Sequence, residues 1–374
     1  MNEDIRIEPL RGPERVRRRA AVIFGDDGLE GVCEQVNLLL DIFLPQVKSG
    51  FCKHLIVKRD ATEVLTLEGD DMGLYLCDPL APSDEIWQTL FCQMQVLPRG
   101  EDYAYGLTKR QDLFQPPQGS LEDYIWYQLN LYSAQCASEF FSVRVRRDGY
   151  EYKLHFEKGE PESSLEVTPC DAPSGTCFTF RPDNTVFRDI CLSAEQLAAF
   201  GRLLSLDNPG LAVTVVDEKL GLAQDFCCPN GILDALDVDT PVYTAAGYAK
   251  GRERYDREEY EANVHLALTF CTEGGAECIH NGRWLPDGGI HLDALYKKLQ
   301  VYLEARLGRK YSLKRIRERT RLVLVTEAGE TCWVNGSRKA IGNTLLRDMT
   351  EDTMEENFLG YLDYYAEDFR KLLA

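Results

Sequence analysis

No apolar stretch in this 374-residue chain approaches the roughly 20 residues that a membrane-spanning helix needs, so no span is expected. Positive charge is scarce too: 42 Lys and Arg stand against 61 Asp and Glu, giving a formal net charge of -19. That balance argues against a chain-wide nucleic-acid surface, because phosphate binding wants clustered cations. The five histidines have no serine or cysteine motif nearby, so no nucleophilic triad is expected. Met1-Asn-Glu-Asp is polar and acidic with no apolar segment behind it, which gives no reason to expect a secretion signal. The 13 cysteines then read as reduced thiols rather than a disulfide framework, and the expected location is the cytoplasm. Cys271-x₆-Cys278-x-His280 fits no common zinc spacing and reads as thiols in or beside a strand. Cys227-Cys228 reads as core packing. Internal repeats and low-complexity tracts are also missing.

What is present describes an ordinary folded protein, with 44% hydrophobic and 10% aromatic residues and enough length for two cores. Leu29, Val32, Cys33, Val36, Leu39, Leu40 and Phe43 recur at helical spacing over 28–44, with Pro45 expected to end the helix. β-Runs follow at 53–58 and 63–67, then a Gly69-Asp70-Asp71-Met72-Gly73 turn. Residues 79–120 are poorly patterned, 121–137 are helical in character, and a hairpin spans 141–156. An amphipathic helix over 192–206 and a strand over 211–216 lead to an expected boundary near Gly231, dividing the chain into 1–230 and 231–374. The second part reads as strands at 242–243 and 264–270, a helix striped by Leu292, Leu295, Leu299 and Leu303, a strand at 322–325 and a helix over 354–373. One run, 306–321, is strongly basic; it reads as a solvated face or as a local contact with nucleic acid or an acidic partner.

Several motifs stand in order along this framework. Leu10-Arg-Gly12-Pro-Glu14-Arg-Val16-Arg17-Arg-Arg19 precedes Phe24-Gly25. The hairpin turns at Arg147-Asp148-Gly149-Tyr150, and a strand runs Gly175-Thr176-Cys177-Phe178-Thr179-Phe180-Arg181-Pro182-Asp183. Later come Asn281 with Gly288-Gly289-Ile290-His291, and Trp333-Val-Asn-Gly336-Ser337-Arg338 with Gly342-Asn343. Together they resemble the N-terminal ATPase and transducer region of the B subunit of bacterial type II DNA topoisomerases, gyrase B and topoisomerase IV B. The resemblance implies an α+β fold: a two-layer α/β sandwich ATPase domain of the gyrase, heat-shock chaperone and MutL type, then a β-α-β transducer domain. No residues matching the family's DNA-cleavage domain follow, so cleavage by that route is not expected of this stretch.

The resemblance also implies ATP and Mg²⁺ chemistry, and the sequence matches it in part. A general base and a magnesium ligand one helical turn apart would fall on Glu34 and Leu38, and leucine offers a hard cation no oxygen. The alternative register gives Asn37 the metal but puts Cys33 at the base. Asp70 and Gly73 match the adenine-binding turn, and Thr176 the threonine supporting its aspartate. Arg338 replaces the lysine that reaches the γ-phosphate. The glycine-rich phosphate lid falls on Tyr124–Asn130, where no glycine remains. The expected catalytic residue is therefore Glu34 and the expected nucleotide-binding residues are Asp70, Gly73, Thr176 and Arg338, with no metal ligand; the departures weigh against both ATP and Mg²⁺. Two functions stay open. One is a topoisomerase-like ATPase and transducer with hydrolysis reduced or lost. The other is a stand-alone, non-catalytic regulatory module of a DNA-processing complex. Expected partners are a second copy or a topoisomerase subunit, with DNA contacted indirectly or through 306–321. A replacement lid within 80–120 is a further option.

Overall fold

The computed structural model describes residues 12–78, 85–93, 125–236, 240–253, 259–335, 338–354 and 356–373, with single positions 10, 80 and 83. The chain divides into two compact units. The first takes the residues up to Gly201 together with Leu211–Phe226, and the second takes Arg202–Gly210 and the chain from Cys227 onward.

The first unit is built on one mixed sheet. Its strands are β1 (His54–Arg59), β2 (Leu65–Gly69), β3 (Ser138–Arg147), β4 (Tyr150–Glu157), β5 (Glu160–Pro161), β6 (Glu166–Pro169), β7 (Gly175–Pro182), β8 (Ala212–Asp217) and β9 (Leu222–Cys227). They lie in the order β5-β4-β3-β7-β2-β1-β8-β9, with β6 also pairing β4. Alternation sets the two faces. Leu55 and Val57, Leu65 and Leu67, Phe141, Val143 and Val145, and Phe178 and Phe180 are buried on one side, while Lys58, Glu68, Arg144 and Arg146 line the other. The helices are α1 (Glu14–Arg17), α2 (Ala20–Ile23), α3 (Leu29–Leu40), α4 (Leu44–Lys48), α5 (Glu85–Cys92), α6 (Ile125–Cys136) and α7 (Ala194–Asp207). Aromatic contacts fix this layer on the sheet: Trp87 on Phe156, Phe91 on Phe141, and Phe43 on Phe178, with centroids 6.3, 6.3 and 5.7 Å apart.

Two motifs turn out to be braces. Arg17 donates to Asp183 Oδ2 at 2.5 Å, to Thr185 Oγ1 at 2.9 Å and to the Cys136 carbonyl at 3.0 Å, pinning α1 to the corner after β7. Burial pushes Asp183 up, but the Arg17 guanidinium and the Thr185 donors outweigh it and hold the carboxyl below its ordinary value. Asp148 and Gly149 carry φ of 51° and 81°, the two left-handed positions of a type I′ hairpin turn. Pro45 does not close the helix of 28–44. That helix stops at Leu40, and Pro45 sits in the first turn of α4, where its missing N–H costs nothing.

The second unit holds β10 (Tyr243–Gly251), β11 (Tyr260–Phe270), β12 (Gly275–His280), β13 (Arg283–Trp284) and β14 (Thr320–Ala328), with α8 (Ile290–Leu307), α9 (Leu313–Glu318), α10 (Thr344–Asp352) and α11 (Glu356–Leu373). The order is β10-β11-β14-β12-β13, and β12 and β14 run parallel, joined through α8 and α9 as a β-α-β crossover. Gly289 has φ 146°, and a Cβ there would meet the Ile341 carbonyl O at 2.2 Å, so the Gly288-Gly289 step is a steric requirement. Asn281 exchanges both amide bonds with the backbone of Ala328, at 3.0 and 3.1 Å. Cys227 is exposed and Cys228 half-buried against Ser205, so this pair is not core packing.

Glu253, 7% exposed, ties the second unit together. Its carboxylate accepts from the Tyr260 hydroxyl, the Thr344 N–H at 2.8 Å, the Thr344 hydroxyl and the Leu345 N–H at 3.3 Å, capping α10. Asn343, next in the network, donates to Tyr260 Oη at 3.1 Å and accepts from the Cys332 N–H at 2.9 Å. Burial raises Glu253, but these donors prevail and hold it below the ordinary glutamate value. A depressed folded-state value means its contribution is present above the unfolded value, near about 4.3, and is lost as the pH falls through the folded one. Glu253→Gln, which turns an amide donor onto donors, is expected to cost about 2 kcal/mol near neutrality. Urea unfolding should show this deficit, and the gap from the parent chain should narrow as the pH drops below about 4.

Candidate functional site

The turn after β2 gathers most of the residues that the resemblance singles out. Gly69, the last residue of β2, pairs across the sheet with Thr176 of β7, so the chain turns beside that threonine. Asp71 shapes the turn: its Oδ1 accepts from the Gly73 N–H at 2.6 Å. Gly73 has φ 79°, and a Cβ there would stand 2.5 Å from the Arg146 carbonyl O, so glycine is required. Thr176 Oγ1 donates to Asp71 Oδ1 at 2.8 Å and accepts from the Leu74 N–H at 3.1 Å, while the Thr176 N–H donates to Asp71 Oδ2 at 3.2 Å. Arg147 braces the turn from the hairpin through the Gly73 carbonyl at 2.9 Å.

The carboxylate that meets Thr176 is thus that of Asp71, one residue beyond the expected Asp70. Asp70 is exposed, and its Oδ1 accepts from the Lys53 and His54 N–H groups at 2.7 and 2.9 Å, closing the start of β1. The sequence held one usable signal for this. An acceptor two residues before an obligatory turn glycine is Asp71, not Asp70. Asp71 is 2% exposed, and burial pushes its carboxyl up to about 6, against the donors from Thr176 and Gly73, which pull it down.

Glu34 lies on α3, 9% exposed, more buried than a half-exposed surface glutamate would be. Asn37 and Leu38 follow it, half-buried. Leu38 offers no side-chain oxygen, and its carbonyl accepts from Asn130 Nδ2 at 3.2 Å. One turn earlier, Gln35 Nε2 donates to the Ala134 carbonyl at 2.8 Å and Ser138 Oγ at 3.0 Å. α6 is therefore sewn to α3. Tyr124, the first residue of the expected lid, lies outside the described residues; 125–130 is the first half of α6. A continuous helix, rather than an open loop of bare backbone amides, spans 125–130. Of 80–120, the option of a replacement lid falls mostly outside the described residues, and 85–92 forms α5. Arg338 belongs to the second unit, on a turn with φ 55° where its N–H donates to the Asn335 carbonyl at 3.3 Å; Gly336 and Ser337 lie outside the described residues.

Other sequence readings also meet the structure. Ser142 Oγ and His155 Nδ1 are 2.8 Å apart, and His155 Nε2 is 3.0 Å from Glu157 Oε1, a hydrogen-bonded line that sequence spacing does not suggest. It lies mid-sheet on β3 and β4. β3 is paired on both edges, so the ladder takes the amides an oxyanion would need, and the line carries no acyl-transfer site. Four of the eight cations in the basic run pair with carboxylates: Arg306 with Asp363, Arg317 with Asp293 at 2.7 Å, Arg321 with Glu277 at 2.7 Å and Lys314 with Glu318 at 3.8 Å. Among the described residues no His, Cys, Asp and Glu group could hold a metal ion, and no helix is long and apolar enough to cross a membrane.

A layer of helices on one face of a mixed sheet, followed by a β-α-β unit, is the architecture of the gyrase, heat-shock chaperone and MutL type of ATPase domain with its transducer. Among solved structures, the B subunit of DNA gyrase from Myxococcus xanthus superposes with a TM-score of 0.64 at 17% identity, covering 94% of this chain and 95% of that one. The 43K ATPase domain of Thermus thermophilus gyrase B, in complex with an aminocoumarin, gives 0.63 at 18% identity over 96% and 91%. In sequence, the B subunit of DNA gyrase from Synechocystis is 24% identical over 379 residues, 96% of this chain and 33% of that protein. The B subunit of DNA topoisomerase 4 from Bacillus subtilis is 27% identical over 299 residues, 78% of this chain and 42% of that protein. The chain spans between 33% and 56% of the length of the first curated relatives it matches. No family model matches it. Over most of its length the chain is similar to the type II topoisomerase B subunit, and the resemblance carried by its motifs holds.

The Asp71 carboxyl sets a test of its own. Its folded value is raised above the unfolded one, near about 3.9, so the fold holds the proton more tightly. Stability from this group is complete below the unfolded value and is lost as the pH rises through about 6, a loss of roughly 3 kcal/mol. Asp71→Asn, which cannot ionise, is expected to flatten the fall in urea midpoint between about pH 4 and about pH 6. An unchanged slope would remove Asp71 as its source.

Proposed function

We propose that this chain is a type II DNA topoisomerase B-subunit-like ATPase and transducer protein acting in DNA topology, with ATP hydrolysis reduced or lost. The observation that carries the second half is the seam between α3 and α6. Where phosphates would lie against bare amides, an unbroken helix donates from Asn130 to the carbonyl of Leu38. A carboxylate base alone does not hydrolyse ATP at a useful rate, because the triphosphate must also be held and its charge met. Glu34 is the base we assign, Asp71 with Gly73 and Thr176 the purine contacts, and Arg338 the cation standing for the phosphate-reaching lysine. For Asp70 we assign a structural role at the head of β1.

The same seam supports a second reading, a regulatory module that pairs with a topoisomerase subunit or a second copy of itself. Pairing of Arg306, Arg317 and Arg321 with carboxylates of the second unit favours protein partners over direct DNA contact. With Mg²⁺ and ATP, the purified protein is expected to release phosphate no faster than its Glu34→Ala variant. Robust turnover that collapses in the variant would overturn the loss of hydrolysis. Co-purification with the host's DNA-cleaving subunit is the outcome that separates partner module from solitary protein.

A further inference from the structure

We propose that Phe43 is a built-in plug in the purine half of this site, its ring standing where the flat base of an adenine-type ligand would meet Asp71. The inference rests on the reading that Asp71, Gly73 and Thr176 are purine contacts, and it concerns a residue that reading does not use. An ionised carboxylate offers about four lone-pair positions. Gly73 N–H and Thr176 Oγ1 take two on Oδ1, and the Thr176 N–H takes one on Oδ2. Oδ2, with one of these donors against two on Oδ1, is the oxygen an exocyclic amino group would meet.

Oδ2 lies beside Gly69, and so does the Phe43 ring. A Cβ placed on Gly69 would stand 2.9 Å from Asp71 Oδ2 and 2.7 and 2.8 Å from two carbons of the Phe43 ring. Oxygen and ring therefore flank one point. Phe43 is fully buried and meets Phe178 edge-on, and Phe178 lies two residues beyond Thr176 on the same face of β7. Phe178 and the Thr176 that holds the carboxylate thus come from the same strand, and the Phe43 ring packs against Phe178 and beside that carboxylate. Its backbone is fixed: the Phe43 N–H donates to Leu40 and its carbonyl accepts from Gln46 and Val47, at the step from α3 to α4. The ring keeps the carboxylate dry without offering it a donor.

Removing the ring leaves an apolar cavity with one buried acceptor, the combination that selects a flat heterocycle carrying an amino group. The experiment measures adenosine binding by calorimetry to the full chain, to Phe43→Ala and to Phe43→Leu, each checked for folding by circular dichroism. Adenosine is the probe because it lacks phosphates. Phe43→Ala is expected to bind at least about tenfold more tightly than the parent chain, with Phe43→Leu between them, and Asp71→Asn in the Phe43→Ala background is expected to erase the gain. Equal binding by parent and variants would overturn the plug while leaving the purine contacts standing. Folded variants that bind no adenosine would overturn both, and a gain that survives Asp71→Asn would reduce Phe43 to a cavity without recognition. None of these outcomes depends on phosphate release, so the loss of hydrolysis stands or falls separately.

Discussion

A carboxylate with 2% of its surface exposed organises the centre of the first unit. Burying Asp71 is costly unless donors meet it, and three do so from two residues, Gly73 and Thr176. Each donor imposes a condition elsewhere. Gly73 must be left-handed and lack a side chain because the Arg146 carbonyl presses on it. Thr176 must face Gly69, which fixes the register of β7 on β2. Arg147 must reach the Gly73 carbonyl, which ties the β3–β4 hairpin to the same turn. Slipping the β7 register by one residue would carry Thr176 to the other face and leave the carboxylate without its partner.

The neighbouring helices obey a different logic. A phosphate-binding lid survives as loop only while glycines keep its amides bare. Ile125–Asn130 contain no glycine, and the chain is helical from the first residue of α6 that the structure describes. Asn130 and Gln35 then find acceptors across the α3–α6 seam, and each such bond makes reopening more costly. The β2 turn and the α3–α6 seam consequently differ in kind. One closes around a buried charge; the other is helix-on-helix packing.

Much of the fold was legible because it depends on local signals. Asp148-Gly149 specifies its hairpin, alternating residues specify β3, β4 and β7, and the 292–303 leucine stripe specifies α8. Less legible were features decided across the sheet. Asp70 and Asp71 are chemically identical; the spacing to Gly73 is the one local hint, and the position of Thr176 opposite Gly69 decides which one turns inward. Pro45 reads as a stop until the chain is seen to break at Asp41–Phe43 and restart. β9 escaped notice because its residues are almost all exposed and show no alternation, and α10 because its start is set by Glu253, some ninety residues away in sequence. The Ser142-His155-Glu157 line arises from cross-strand register, which no spacing along the chain records.

The motifs that persist have something in common. Arg17 holds Asp183, Asn281 clasps Ala328, Gly289 lets Ile341 approach, and Asn343 joins Glu253 and Tyr260 at the head of α10. Each would be required for the units to fold whether or not a nucleotide ever entered. The resemblance maps a lid, a magnesium ligand and a phosphate-reaching lysine onto 124–130, Leu38 and Arg338, positions whose role in the family would serve a triphosphate rather than the fold. Asp71 stands between the two groups, since it both closes a turn and offers an acceptor. Closing the turn is reason enough for an aspartate at 71, and Phe43 packs beside it without offering a donor. The turn at Asp71 and the α3–α6 seam are both held by the chain's own groups, so neither needs a ligand to stay closed.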